Sequence, residues 1–510
     1  MLLLGPHRKS PRQAPRPLSG FGYALPTSAV EWKGREAEWA GIGRLWEWDR
    51  VVRAWVVDEL RHLQLGDMRR NQRAGRLISD LAAQPDASIP QASGSLAATK
   101  AAYRFLACQG VEAQAIRKAH HARTGDRLVS EPWVLIAQDT TELDVRAHPC
   151  TRGVGPLSHP SGQGLLVHSS LAISTQGVPL GLLDQRVWVR DPEQTGRRHQ
   201  RRRRSAREKE SAKWRSAEQA ALEAVPQGTR AVLVADREAD VYDFLAASRP
   251  ADVHLLIRAT HNRCVAQEPG YLWEALERQP PVGEQVIPVG RSGERTPRRA
   301  LVSLRYARLA IKPPRHHKQR DRLEPVWVQA LLVREQAPPE GVPPLCWLLV
   351  STLPIQAPDD AWRLVHWYSL RWLLERYHYV LKSGCRIESL QPETADRLER
   401  ALALYWVVAW RLLWLTYLAR REPDRSAADV LSGPEWKALY CVTHQTPHPP
   451  PAPPPLADAV GWIARLGGFL GRTHDGEPGV KVLWRGMQRL NDIAATWQLL
   501  HPTPQDVGNA

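Results

Sequence analysis

Val134–Asp139 reads VLIAQD, and Ala231–Asp236 reads AVLVAD. Each is a short, unbroken apolar run that stops at an aspartate. Runs of this length without alternation mark strands buried on both faces. Ligands of α/β sheets gather at the carboxyl ends of such strands, which is where this reading puts Asp139 and Asp236. Between them lie two further strand candidates, Leu165–Ser174 and Leu182–Val189, and a helix candidate, Glu210–Ala224. Strand, strand, strand, helix, strand is the order expected of a mixed α/β sheet.

Outward from this centre the composition changes. Residues 1–45 are rich in Pro, Arg and Gly without a clear period, which predicts a disordered extension. Residues 46–122 turn helical, and Arg69, Arg70, Arg73 and Arg76 crowd one short helix, which predicts a small helical DNA-binding domain or a solvated helix face. Residues 123–400 hold the two aspartates. Within them, residues 264–345 switch to Pro, Gly, Arg and short β-prone pieces such as Glu284–Val289, Ala300–Ala307 and Pro325–Val333, the pattern of a β-rich insertion. Trp347–Leu353 is another strand candidate, and the chain is helical from Ala361 to about Arg421. Residues 401–510 form a helical C-terminal region, interrupted by the Pro-rich spacer 447–455 (PHPPPAPPP), which should be extended and semi-rigid.

At 510 residues the chain needs more than one ordinary core. Its net charge of +16 and pI near 9.9 favour a polyanionic partner, nucleic acid first. The arginine block 197–207 (RRHQRRRRSAR) reads as a mobile, solvated loop able to touch phosphates. Six cysteines, at 108, 150, 264, 346, 385 and 441, are too scattered for a zinc knuckle or redox motif, and they suit a reducing cytoplasm. Ala401–Ala419 is apolar enough to span a bilayer, but Arg411 sits at its centre and no second span exists. The reading is a helix buried in a soluble core, with no membrane partner.

One further pattern carries chemistry. Tyr368, Arg371, Glu375 and Lys382 lie at offsets 0, 3, 7 and 14. At about 100° per residue they share an arc of about 60° on an ideal helix. Glu375 can add a third carboxylate to a metal site, while Arg371 and Lys382 flank it as phosphate-holding cations. The plainer alternative is an ordinary i,i+4 pair between Arg371 and Glu375.

These residues, as YSLRWLLERYHYVLK, match the Tyr-(2)-Arg-(3)-Glu-(6)-Lys signature of Insertion Sequence Four family transposases, which the chain resembles. AQDTTELD around Asp139 and VADREADVYDFL around Asp236 resemble the family's two aspartate segments. LGDMRRNQR (65–73), AAYRFL (101–106), KESAKW (209–214), LLIRATH (255–261), CWLLVST (346–352), IARLGGFLG (463–471) and LWRG (483–486) follow in the family's order, so the similarity covers about residues 46–495. The resemblance implies a ribonuclease H-like core with helical flanking domains. It also implies Asp139, Asp236 and Glu375 as catalytic metal ligands for two Mg²⁺ or Mn²⁺ ions. Three carboxylates are hard oxygen donors suited to such ions.

The DNA-contacting residues would be Tyr368, Arg371, Lys382, Trp347, Arg258, Arg69, Arg70 and Arg73. Trp347 fits either a base-stacking platform or a core position. The implied activity is cut-and-paste DNA transposition on the element's inverted repeats and target DNA, through a DNA hairpin, in a bacterial cytoplasm. The implied assembly is a homodimer paired through the C-terminal region. Two alternatives remain: a ribonuclease H-like nuclease without strand transfer, and a domesticated DNA-binding descendant. Asp240 and Asp243 read as supporting or exposed, Glu142 as no rival to Glu375, and His168 as a satisfied core histidine.

Overall fold

The computed structural model describes residues 52–192, 212–290, 298–317, 319–473 and 475–501. The expected N-terminal extension and the arginine block 197–207 lie outside the described residues.

Buried apolar runs become the centre of a ten-stranded sheet. Among the described residues five helices come first: α1 (Ala54–Glu59), α2 (Met68–Ala83), α3 (Ile89–Ser93), α4 (Leu96–Ala107) and α5 (Ala113–Leu128). Asp67 caps α2 by accepting from the Arg69 N–H, and Ser88 closes a capping box on α3. The sheet then starts with β1 (Trp133–Asp144), the two-residue β2 (Gly155–Pro156), β3 (Gln163–Ser174) and β4 (Pro179–Trp188). After α6 (Ala212–Glu223) come β5 (Arg230–Ala235), α7 (Tyr242–Leu245) and β6 (Val253–Arg258), followed by α8 (Leu272–Glu277). Strands β7 (Glu284–Val289), β8 (Arg298–Ile311), β9 (Val326–Glu335) and β10 (Cys346–Ser351) complete it.

The strand order is β2-β3-β1-β5-β6-β10-β9-β8-β7, with β4 on the outer side of β3. β1, β5 and β6 run parallel, whereas every other pairing is antiparallel. The β-rich stretch 264–345 is therefore no appendage. Its three strands continue the main sheet, because β9 pairs β10 from Arg334↔Cys346 to Gln329↔Ser351.

Alternation along the central strands divides the interior. Leu135, Ala137, Val232 and Val234 face one core, shared with the helices that follow β10. Ile136, Ala231, Leu233 and Ala235 face the other, with Trp214 of α6. Those later helices are α9 (Pro358–Leu370), α10 (Trp372–Tyr379), α11 (Ala395–Arg421), α12 (Gly433–His444), α13 (Leu456–Leu466) and α14 (Val480–Leu500). The single helical stretch expected from Ala361 is broken. Arg371 separates α9 from α10, and Val380–Gly384 is a π turn. The four-residue stripe therefore does not ride one ideal helix.

Among the described residues, α11 alone is long and apolar enough to cross a membrane, yet 83% of its apolar window is buried inside the protein. Arg411 is accommodated there. It donates to the Val430 carbonyl at 2.6 Å and lies over the rings of Trp55 and Trp414, 5.1 and 4.5 Å from their centroids. Burial lowers its pKa to about 10, still charged at neutral pH.

Domain edges drawn from the sequence cut through helices. The 122/123 edge falls inside α5 and the 400/401 edge inside α11, and the described residues cluster as one unit. The Pro-rich segment is anchored at its C-terminal end. The Pro454 carbonyl accepts from the Ala427 N–H at 2.9 Å, and the Leu456 N–H donates to Arg425 at 2.6 Å.

Candidate active site

The register of β1 and β5 builds the centre. Gln138 pairs with Ala235 at the last rung of the parallel ladder, so the next residues are Asp139 and Asp236. Paired positions on adjacent strands point to the same face about 5 Å apart. Here that is the face of Leu135, Ala137, Val232 and Val234, toward α9 and α10. β5 ends at this point as expected. β1 does not: it runs on to Asp144 as the partner of β3, leaving Asp139 in mid-strand.

Backbone donors fix both carboxylates. The Thr140 N–H donates to Asp139 Oδ1 at 2.8 Å, and the Glu238 N–H to Asp236 Oδ1 at 3.0 Å, where Asp236 caps a 3₁₀ turn. Burial pushes the Asp139 carboxyl up to about 7. Arg371 opposes that shift, and the charges of Asp236 and Glu375 add to it. Asp236 is also raised, again chiefly by burial.

Arg371 stands between the carboxylates. Its Nη1 lies 3.6 Å from Asp139 Oδ2, and its Nη2 donates to Glu375 Oε1. Burial opposes its charge, but Tyr368, Glu375 and Asp139 more than offset this and raise its pKa. The i,i+4 pair is thus formed, and the same guanidinium reaches a third group across the sheet. Among the described residues no three His, Cys, Asp or Glu side chains are drawn together as a ready metal cage. The physical reason is visible: a cation already occupies the space between Asp139 and Glu375. The donor set itself, three carboxylates that repel one another, fits a hard divalent ion.

Around this core, Tyr368 is buried at 4% exposure, so it is a wall rather than an open clamp. The charges of Arg371 and Arg258 bear on its hydroxyl, and burial raises its pKa. Arg258, lowered by burial, also donates to the Cys346 carbonyl at 2.9 Å. Trp347 is half-buried and meets Tyr368 edge-on at 5.1 Å. Lys382 pairs with Glu388 at 3.4 Å, and Glu388 also accepts from the Asp144 N–H at 3.0 Å. Glu388 gave no sequence signal, because only the fold brings its loop to β1.

The remaining acids are engaged in structural contacts. Asp240 is buried and accepts from the Thr260 and His261 N–H groups and from Arg263. Asp243 pairs with His317 at 2.9 Å. Glu142 holds Ser158 and Arg190, at 3.0 Å to the latter. His168 is fully buried, bonds Thr140 Oγ1 through Nδ1 at 2.9 Å and meets Trp214 edge-on; its Nε2 lacks a partner, so it is only half satisfied. In the N-terminal helices Arg69 is exposed, and Arg73 lies half-buried near Asp80. Arg70 departs from its expected role. Its guanidinium donates to the Leu65 and Gly110 carbonyls, at 3.1 and 3.2 Å, and braces that fold.

Two protein families match the chain at the elements that flank this centre. Residues 52–111, spanning α1–α4, match the family described as Transposase DNA-binding. Residues 407–497, from mid-α11 through most of α14, match the Transposase Tn5 dimerisation domain. A DNA-binding module at one end and a transposase dimerisation module at the other define a transposase, with DNA and a second copy of itself as partners. Together the two matches indicate a Tn5-like transposase of the Insertion Sequence Four family.

Proposed function

We propose that this transposase cuts and joins DNA at Asp139, Asp236 and Glu375 on a ribonuclease H-like core. The observation that carries the reading is the adjacency of Asp139 and Asp236 at the last parallel rung, with Arg371 bridging from Asp139 to Glu375 on α10. The antiparallel run β4-β3-β1 followed by parallel β5 and β6 supports that core type.

Asp139, Asp236 and Glu375 would hold two Mg²⁺ or Mn²⁺ ions. Bound there, the ions supply Lewis acidity and a nucleophilic oxygen for in-line displacement at phosphorus. The chain's own residues do the rest. The Asp139 side chain keeps 21% of its surface exposed, open enough for an ion to reach it. Arg371 offsets part of the carboxylate charge before DNA arrives and is free to turn to a phosphate once the carboxylates are otherwise compensated. Asp139 and Glu375 hold Arg371 in place until then, and Lys382 exchanges Glu388 for a neighbouring phosphate. Trp347 offers an aromatic edge to a base drawn from the stack. The N-terminal helices grip the element's inverted repeats, the C-terminal helices pair two copies, and release proceeds by cut-and-paste through a hairpin.

The test is cleavage of end-labelled duplexes carrying the repeats that border the protein's own coding sequence, with Mg²⁺ or Mn²⁺. Nicks and hairpins at the repeat boundary, followed by joining to target DNA, are expected. Binding without any cutting would leave a DNA-binding descendant, and cutting without joining would leave a nuclease.

A further inference from the structure

Arg371 reaches the carboxylates from one face of the sheet. From the other face, where α6 packs through Trp214, a second cation approaches the same place. Lys213 lies in the first turn of α6, and its ammonium meets Glu238 at 3.0 Å, two residues past Asp236. The ammonium lies 5.9 and 5.5 Å from the ring centroids of Trp188 and Trp214, within cation–π range of both. Its charge bears on Asp236, as that of Arg371 does from the opposite side.

The pair is lopsided. The Lys213 side chain is 13% exposed and Glu238 is 62% exposed. The cation is lodged between two tryptophans, whereas its partner stands in solvent. An ion pair with a solvated partner is weak and readily exchanged. A bridge meant to hold α6 to the 3₁₀ turn would bury both ends or use the bidentate fork of arginine, as Arg249 does with buried Glu218 from the same helix. A DNA phosphate offers several charged acceptor oxygens and would displace a single mobile carboxylate.

We propose that Lys213 binds a phosphate of the DNA strand at the catalytic centre, from the face opposite Arg371, and that Glu238 holds its position while DNA is absent. This rests on the reading of that centre as the DNA-cutting site. No bond changes at Lys213. Its N–H groups leave a Glu238 carboxylate oxygen for the non-bridging oxygens of a phosphate, which orients the strand across Asp139 and Asp236.

The experiment uses the full chain and end-labelled duplexes with the bordering repeats. Nicking is followed in Mg²⁺ at saturating DNA, and binding of the paired complex is measured across a salt series. Lys213→Gln should nick about 10- to 100-fold more slowly, the loss typical of one charged hydrogen bond near a reacting phosphate. Its plot of log affinity against log salt should flatten by about 0.9, the loss of one phosphate contact. Lys213→Arg should recover most of the rate, and Glu238→Gln should raise nicking severalfold at limiting DNA, because the competing carboxylate is gone. A Lys213→Gln protein with wild-type rate and salt slope would overturn the proposal and leave the transposase reading standing. So would slow nicking with an unchanged slope and no rescue by arginine, which would make Lys213 a structural residue. A wild-type protein that cuts none of these duplexes with Mg²⁺ or Mn²⁺ would instead remove the underlying reading, and this inference with it.

Discussion

At the scale of single residues, the centre is a cluster of acids short of positive charge. The Asp139 carboxyl, held near pH 7 against an ordinary 3.8, binds its proton more tightly in the folded protein than in the unfolded chain. Its contribution is therefore fully present below about pH 4 and is lost as pH rises toward 7. A divalent ion must displace that proton below pH 7 and relieves carboxylate repulsion above it. At pH 5.5 the competition weakens binding by about thirty-fold relative to full ionisation. Added Mg²⁺ or Mn²⁺ should raise Tm by a few degrees at pH 8 and hardly at pH 5.5. An equal rise at both values would show that Asp139 is not a ligand. The amides Asp139→Asn, Asp236→Asn and Glu375→Gln should each slow cleavage by more than about a thousand-fold, the several kcal/mol a Lewis acid supplies. End binding should persist, because it belongs to Arg and Lys in other helices. Any amide variant that cuts at close to the normal rate strikes that residue from the site.

The broken helix matters at the scale of elements. The tightened step at Arg371 and the π turn at Val380–Gly384 set Tyr368, Arg371, Glu375 and Lys382 on separate short pieces. Tyr368 turns into the wall, Arg371 into the carboxylates and Lys382 toward Glu388 on the following loop. Trp347 enters from β10 against Tyr368 and keeps part of its surface. Its ring packs on the core yet stays half-buried beside Tyr368, so a base-stacking role and a packing role make different predictions. Trp347→Ala should slow hairpin formation at least about tenfold more than the first nick, because only the second step needs an unstacked base, and base–aromatic stacking is worth about 1–3 kcal/mol. A denaturing-gel time course separates the two steps, and equal slowing would make Trp347 a packing residue.

For the whole molecule, the C-terminal helices serve both the core and the dimer. Leu456, Ile463, Leu483 and Leu490 are at most 1% exposed and share a core with β1, β5 and β6. A chain cut near Pro447 should therefore lose its fold, not merely its ability to pair two ends. Pairing is better probed on the surface. Leu499 and Leu500 end α14 at 82% and 73% exposure, just past the matched dimerisation domain, which ends at residue 497. This adjacent exposed pair is the apolar surface to probe for pairing. The double substitution Leu499→Lys with Leu500→Lys should yield monomers by light scattering with Tm changed by no more than about 2 °C, as expected of surface positions. Dimers that persist would move the interface elsewhere on these helices.

The sequence by itself determined what depends on local pattern. VLIAQD and AVLVAD stated two doubly buried strands ending near acids, and YSLRWLLERYHYVLK stated which residue types stand together. ALALYWVVAWRLLWLTYLA stated a helix too apolar for any surface, since apolar runs and i,i+3/i+4 spacings are short-range signals. Only the tertiary structure decided that β1 runs past Asp139 and that three later strands lengthen the main sheet. The same holds for Arg371 filling the gap between two carboxylates, and for Glu388 and Lys213 arriving at the centre from distant segments. Those outcomes rest on ladder register and on packing across many residues of separation, where pairing energy is shared among strands and no local spacing records the partner.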